Sequence, residues 1–314
     1  MKILVTGSTG FVGSRVVELA RERDWAVIPV VRQQIEPLTN SLVVPSIDTS
    51  TDWSSAFEGV DCIVHCAARV HQINETEQDA LIAYRDINTL GTLNLAKQAA
   101  EAGVKRFVFV SSIKVNGEFS EPSLPFEPNL KNTPQDPYGL SKYEAEVELA
   151  KLSKEAGLEM VIIRPPLVYG PGVKANFLSM MRLIDKGIPL PFGAIKNQRS
   201  LVYLDNLSDL ILTGCEHPLA PGHTFLASDD HDVSTTQLMR TIAQSMGKSP
   251  RLIPIPMAWI QAGSSALKKK HIAQRICGNL QVEIGLTKEI LGWKPPVSFE
   301  QGIKSTVEAY LKSH

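Results

Sequence analysis

Residues 2–13 read Lys2-Ile3-Leu4-Val5-Thr6-Gly7-Ser8-Thr9-Gly10-Phe11-Val12-Gly13. An apolar run of strand length, Lys2 to Thr6, feeds into glycines spaced G-x-x-G-x-x-G, and an amphipathic helix, Val12 to Arg23, starts inside that pattern. Gly7 permits the tight turn, Gly10 lets backbone approach a pyrophosphate, and Gly13 lets helix and strand pack closely, while the helix N-terminus offers free N–H groups and positive potential. A glycine triplet alone is a weak signal. Between a strand and a helix at the start of a repeating pattern, it predicts a dinucleotide cradle built from Gly7, Thr9, Gly10, Phe11, Val12 and Gly13.

Working outward, short Val- and Ile-rich runs alternate with amphipathic stretches. Trp25 to Val31 reads as a strand, Trp53 to Glu58 as helical, Asp61 to Ala67 as a strand, and Leu81 to Ala102 as a long helix stopped by Gly103. Arg106 to Ser111 is apolar enough for a strand buried on both faces; Tyr138 to Ala156, closed by Gly157, is a helix and Glu159 to Arg164 the next strand. This alternation predicts an α/β fold with a doubly wound parallel sheet of the Rossmann type. After Arg164, RPPLVYGPG, GIPLPFG and RLIPIPM bring Pro and Gly at short intervals and the expected strands become shorter. The sequence therefore predicts a dinucleotide-binding domain over 1–165, with 200–222 returning to it, and a smaller α/β substrate lobe from 166–199 and most of 223–314. Lys268 to Lys270 reads as a solvated helix face.

A chain of 314 residues has room for about two domains, and its 43% hydrophobic content is that of an ordinary globular protein. Its 32 basic and 33 acidic residues leave a net charge of -1, so neither nucleic acid nor an anionic membrane is an expected partner. No apolar run approaches the roughly 18 residues that span a bilayer, and the amino terminus does not read as a signal peptide, which makes the cytoplasm the expected location. Cys62 and Cys66 fall on one face of a strand about 13 Å apart, too far for a disulfide. Cys215 and Cys277 are isolated, so no metal site is expected.

The second strand ends Val30-Val31-Arg32-Gln33, with no acid before Glu36. An acid there would hold the ribose hydroxyl of NAD, whereas Arg32 suits the 2'-phosphate of NADP. NADP(H) is therefore favoured on residue chemistry, with NAD possible. Farther on, Asp136-Pro137-Tyr138-Gly139-Leu140-Ser141-Lys142 places a phenol and an ammonium on one helix face, where the cation is expected to lower the phenol pKa. Ser111-Ser112 ends the preceding buried strand, and carboxyl ends of strands in an open parallel sheet converge on the ligand crevice.

Taken with HCAA (His65 to Ala68), Asn-x-x-Gly-Thr (Asn88 to Thr92), SSIKVNG (Ser111 to Gly117), PYGLSK, RPPLVYGPG and LGWKPPVSFEQGI (Leu291 to Ile303), these motifs resemble the extended short-chain dehydrogenase/reductase family, in its nucleotide-sugar epimerase, dehydratase and reductase branch. The resemblance implies Tyr138 as acid/base, Lys142 as the ribose-binding residue that tunes it, and Ser112 as the hydroxyl on the substrate oxygen. It further implies cofactor contacts at Ile47, Asp48, Ala67, Ala68, Asn88, Pro165 and Val168. Substrate contacts would come from Lys114, Asn176, Phe177 and Arg199, the last on the diphosphate of a UDP-sugar.

Departures from the family pattern bear on the reaction. Ile113-Lys114 stands where family dehydratases carry Asp-Glu, which argues against dehydration. Asn116 replaces the Tyr of the usual V-Y-G, and Arg32 suggests an exchangeable NADP(H). The expectation is therefore a reductase, and the sequence as a whole resembles bacterial reductases of the 4-keto group of a UDP-linked 6-deoxy-N-acetylhexosamine in polysaccharide precursor synthesis. The alternative is an NAD-dependent UDP-sugar 4-epimerase. A non-catalytic NADP-sensing regulator would typically lack the Tyr or Lys, and both are present. Apolar stripes Leu90, Leu93, Ala96, Ala99 and Ala145, Leu149, Leu152 suggest a homodimer through paired helices.

Overall fold

The computed structural model describes residues 1–34, 40–70, 77–266 and 270–313. Glu36, Lys268 and Lys269 lie outside them, as does the side chain of Lys270, so the basic run named above is not described. In chain order the strands are β1 (Lys2–Thr6), β2 (Ala26–Val31), β3 (Leu42–Val43), β4 (Cys62–His65), β5 (Arg106–Val110), β6 (Glu159–Arg164), β7 (Leu167–Tyr169), β8 (Leu201–Tyr203) and β9 (Thr224–Leu226). The helices are α1 (Phe11–Glu22), α2 (Glu77–Tyr84), α3 (Thr92–Glu101), α4 (Pro137–Ala156), α5 (Ala175–Asp185), α6 (Leu204–Glu216), α7 (Thr235–Ser245), α8 (Met257–Ala266), α9 (Lys270–Cys277), α10 (Gly285–Leu291) and α11 (Phe299–Ser313).

Seven strands form one parallel sheet in the order β3-β2-β1-β4-β5-β6-β9, and β7 pairs with β8 apart from it. The order reverses between β1 and β4, the switch point where an open α/β sheet leaves a crevice. Alternate residues feed opposite cores, as the two-residue strand period requires. Ile3, Val5, Val64, Val108 and Ile163 pack with Val16 and Val17 of α1 and Leu207 and Ile211 of α6. Leu4, Ile63, Phe107 and Phe109 pack with Leu95 and Ala99 of α3 and Ala145 and Leu149 of α4. Burial on both faces explains why these strands lack polar alternation.

The long helix expected over Leu81 to Ala102 runs from α2 into α3 but is interrupted by a π-helical turn, Arg85–Gly91. In α4, the Asp136 side chain caps the start by accepting from the Gly139 N–H, Pro137 fills the first turn, and Gly157 in a left-handed conformation ends it. Beyond Arg164 the expected short strands are fewer than the helices: α5, α7 and α11 enclose a third core of Tyr169, Phe177, Tyr203, Ile242, Phe299 and Ile303. Of the Pro- and Gly-rich stretches, 164–172 carries the end of β6 and all of β7, 187–193 lies between α5 and β8, and 251–256 between α7 and α8. β9, within the 223–314 segment, adds to the edge of the large sheet beside β6.

All four cysteines are free. Among the described residues no group of three or more His, Cys, Asp or Glu is placed to hold a metal. No described helix is long and apolar enough to cross a membrane.

Candidate active site

The register of β1, β4, β5 and β6 brings Thr6 beside His65, His65 beside Phe109, and Val110 beside Ile163, so the loops after these strands meet along one edge. Gly7 has φ +67°, and a Cβ there would lie 2.7 Å from the Ala67 nitrogen, which presses the glycine loop against Cys66 and Ala67, one residue before Ala68. A Cβ on Gly13 would lie 2.2 Å from the Gly7 carbonyl oxygen. Gly10, whose own N–H donates to the Gly7 carbonyl, stands at the start of α1 with no side-chain cap and no acid in the first turn, which leaves the first N–H groups of the helix to an anion. Thr9 and Gly10 are exposed, while half-buried Phe11 packs on the lobe core and Val12 on the sheet core. Ser8, unmarked by any glycine rule, donates to the Val30 carbonyl at 2.6 Å and fastens the loop to the end of β2.

At the other end of that groove, Arg32 is exposed just past β2. Ile47 and Asp48 are half-buried, and a cavity of about 320 Å³ lined by Val43, Val44, Pro45, Ser46, Asp48 and Thr51 opens beside them. Hydrogen bonds from Ser50 and Ser46 hold the Asp48 carboxyl down at about 2, so it stays ionised. Asn94 on α3 donates to the Asp48 carbonyl at 2.9 Å and positions this turn.

Asn88 is a correction. Its side chain does not point into the groove: Oδ1 accepts from the Arg69 N–H (2.8 Å) and Nδ2 donates to the Arg69 carbonyl and the Ser141 hydroxyl (both 3.1 Å). Buried at the π turn, it splints the segment after Ala68 to α4.

Ser112 caps a short 3-10 turn, Ile113–Val115, held under β6 by the Ile113 N–H donating to the Pro165 carbonyl at 3.0 Å. Pro165 is buried and Val168 half-buried alongside. Tyr138 is half-buried in the first turn of α4, its ring edge-on to Tyr84. The expected lowering of its pKa is not what the structure shows. Burial pushes the phenol up to about 12, and Asp136 and Tyr84 add to the rise. Lys142 lies deeper, 1% exposed, with Nζ 4.1 Å from the centre of the Phe109 ring and without a hydrogen-bond partner among the described residues. Burial pulls it down to about 7 against the opposing charge of Glu146. His65 is buried between the hydroxyls of Thr6 (2.7 Å) and Thr92 (2.9 Å) and is held neutral, near 3, by burial and by Lys142.

Lys114 is partly spoken for, with Nζ 2.9 Å from Asp136 and 3.5 Å from Glu118. In the lobe, Asn176 is exposed on α5, but Phe177 is a second correction. It is 1% exposed in the lobe core and stacked on Tyr169, so it supports the site rather than lining it. The sequence could not separate the two because burial of that helix face is decided by α7 and α11. Arg199 donates through Nη1 to the carbonyls of Arg275 and Gly278 (both 3.1 Å). No acid among the described residues pairs with it, which leaves a desolvated cation suited to an anionic ligand.

Residues 3–227 match the family described as the NAD dependent epimerase/dehydratase family. The chain is 48% identical to a UDP-glucose 4-epimerase of Vibrio cholerae, covering 99% of this chain and 96% of that one. It superposes with a TM-score of 0.77 and 26% identity on a UDP-glucose 4-epimerase of Thermotoga maritima solved with UDP-glucose, covering 100% of this chain and 99% of that chain. A UDP-glucuronic acid 4-epimerase of Bacillus cereus, solved with NAD, shares the fold at a TM-score of 0.79 and 21% identity, covering 100% and 98%.

Proposed function

Because the chain belongs to the NAD dependent epimerase/dehydratase family, we propose that it is an NAD-dependent 4-epimerase of a UDP-linked sugar. The observation that carries this is 48% identity over nearly the whole length to a UDP-glucose 4-epimerase, in a chain that keeps Ser112, Tyr138 and Lys142. The residues present fit the cofactor: the glycine loop leaves backbone where a Cβ at Gly7 or Gly13 would collide, and the buried Lys142 ammonium has no hydrogen-bond partner among the described residues.

When bound, the nicotinamide supplies a reversible hydride acceptor, so inversion at C4 needs no outside oxidant or reductant. Tyr138 takes the proton of the C4 hydroxyl and later returns it. Ser112 donates to the C4 oxygen, and Lys142 holds the ribose hydroxyls. Arg199 takes the UDP diphosphate, and Asn176 and Lys114 border the sugar. The working assembly is a homodimer through the outer faces of α2 and the π turn.

One residue supports the NADP(H)-dependent 4-keto reductase expected from sequence, namely Arg32. The family description and the Vibrio relative favour the epimerase instead. The test is to release bound cofactor by heat and to incubate the protein with UDP-galactose and UDP-N-acetylgalactosamine without added cofactor. Copurifying NAD and conversion of either sugar support the epimerase. An empty site, with NADPH consumed only on a UDP-4-keto-6-deoxy-N-acetylhexosamine, overturns it in favour of the reductase.

A further inference from the structure

Both neighbours of Ser112 that carry polar side chains reach the same helix. Ser111 donates to Glu146 Oε1 at 2.5 Å, and Lys114 Nζ lies 2.9 Å from Asp136 Oδ1. Asp136 and Glu146 bracket Tyr138 and Lys142 along α4. Gly139 closes the joint, because a Cβ there would sit 2.6 Å from the Lys114 carbonyl oxygen.

Glu146 is held in turn by Arg164 at the end of β6, Nε to Oε1 at 2.9 Å and Nη2 to Oε2 at 2.5 Å, each side chain 5% exposed. The remaining nitrogen, Nη1, donates to Asn116 Oδ1 (3.0 Å) and the Pro128 carbonyl (2.8 Å), near the two ends of the loop that follows the Ser112 turn. Asn116, which stands where the family pattern has Tyr, therefore spends its side-chain oxygen on Arg164. It closes this loop through Nδ2 to the Glu127 carbonyl at 2.7 Å. The middle of the loop is stitched to residues 281–283 between α9 and α10, with the Phe126 N–H on the Gln281 carbonyl (2.8 Å), the Glu283 N–H on the Phe126 carbonyl (2.9 Å) and the Gln281 N–H on Ser120 Oγ (3.0 Å).

A buried ion pair is weak evidence for stability, since a well-packed apolar pair of the same volume does as well or better. Its charge has another use here. The groups around the Lys142 ammonium are the Phe109 ring from β5, His65 and Cys66 from the end of β4, and Glu146 from its own helix. His65 is neutral and burial pushes the Cys66 thiol up to about 12, so Glu146 supplies the negative charge.

We propose that Glu146 and Arg164 are a positioning pair for the reaction: the carboxylate fixes the Ser112 turn on the helix that carries Lys142, and the guanidinium carries that frame through residues 116–128 to residues 280–283, of which Leu280 bridges to Arg199. Neither touches the reacting atoms, and the proposal rests on Ser112, Tyr138 and Lys142 being the catalytic group.

Glu146→Gln keeps a side chain of the same shape and removes the charge. Turnover should fall roughly 10- to 100-fold with KM for the UDP-sugar nearly unchanged. The alkaline limb of kcat, where Lys142 loses its proton, should move to lower pH by about one unit. NADH affinity, followed by fluorescence, should show the same acid shift, a readout that needs no sugar. Glu146→Gln with Arg164→Met together replace the pair by a neutral one, which should restore the melting temperature but not turnover. Asn116→Ala should raise KM and leave the alkaline limb in place. If Glu146→Gln and the double variant keep the original kcat and limb while only the melting temperature changes, the pair is structural and the proposal is overturned. Tyr138→Phe assayed beside them reports on the catalytic group itself: full activity there would overturn that reading and this proposal with it.

Discussion

Lys142 shows how a single residue can cost stability and be kept. Burial lowers its pKa from 10.5 to about 7, so between those values the unfolded chain binds more protons than the folded one. Stability therefore rises with pH across that window, and the full penalty of burying the charge is present below it. Lys142→Met should abolish turnover, raise stability at neutral pH by about 1 to 3 kcal/mol, and flatten that rise in a series of thermal melts from pH 7 to 10. A methionine variant that melts lower than the unmodified protein at pH 7 would mean that the folded chain satisfies the ammonium. Tyr138→Phe is the complementary experiment. It keeps the ring against Tyr84 but removes the transferable proton, so kcat should drop roughly 100-fold or more while cofactor affinity measured by fluorescence stays close to that of the unmodified protein. Arg32→Asp addresses the cofactor. It replaces attraction for a 2'-phosphate with an acceptor for a 2'-hydroxyl, so any use of NADP(H) should be lost and NAD(H) affinity kept or improved.

The elements that build the cofactor half were legible because their physics is local. Strands β1, β4 and β5 are buried on both faces and therefore read as unbroken apolar runs, and the glycine loop carries its own spacing. Gly13 shows how tight that loop is. A Cβ 2.2 Å from the Gly7 oxygen must push helix and loop apart, so Gly13→Ala should destabilise the chain by about 1 to 3 kcal/mol and weaken cofactor binding at least about tenfold. Denaturant midpoints and fluorescence titration measure the two effects separately, and an alanine variant with unchanged values for both would show that the loop can relax. What sequence could not show was set by tertiary contact. The π turn at Arg85–Gly91 has no periodic signature, and it is what turns Asn88 towards Arg69 and Ser141 instead of the groove. Helices α7 and α8 were hidden on either side of the proline-rich stretch 249–256, and α10 and α11 on either side of the Pro-Pro of 292–298. Glu146 sits four residues after Lys142, a spacing visible in sequence, but its partner Arg164 lies on another element and only the packed structure joins them.

At the scale of the whole molecule, the helices expected to form an interface turn out to serve two surfaces. Ala96, Ala99, Ala145 and Leu149 are 0% exposed and belong to the core of their own chain, so most of the stripe seen in sequence is intrachain packing. What remains on the outside lies one face around: Ile82 is 62% and Leu90 45% exposed, and a groove beside them is lined by Asp79, Ala83, Arg85 and Asp86. An apolar ridge rimmed by charges, on helices that can align antiparallel with themselves, suits an isologous two-fold contact better than a heterologous one. The sheet crevice opens at the ends of the strands, away from these outer helix faces, so such pairing would leave both sites accessible. Light scattering of the unmodified protein at micromolar concentration should give twice the 34.4 kDa chain mass. Ile82→Asp combined with Leu90→Asp should halve that mass by placing like charges across the axis, with turnover per chain reduced by less than about tenfold because neither residue reaches the catalytic group. A monomer in the unmodified protein would remove the dimer and leave the ridge as exposed apolar surface. A dimer that survives both substitutions would place the contact on a different face.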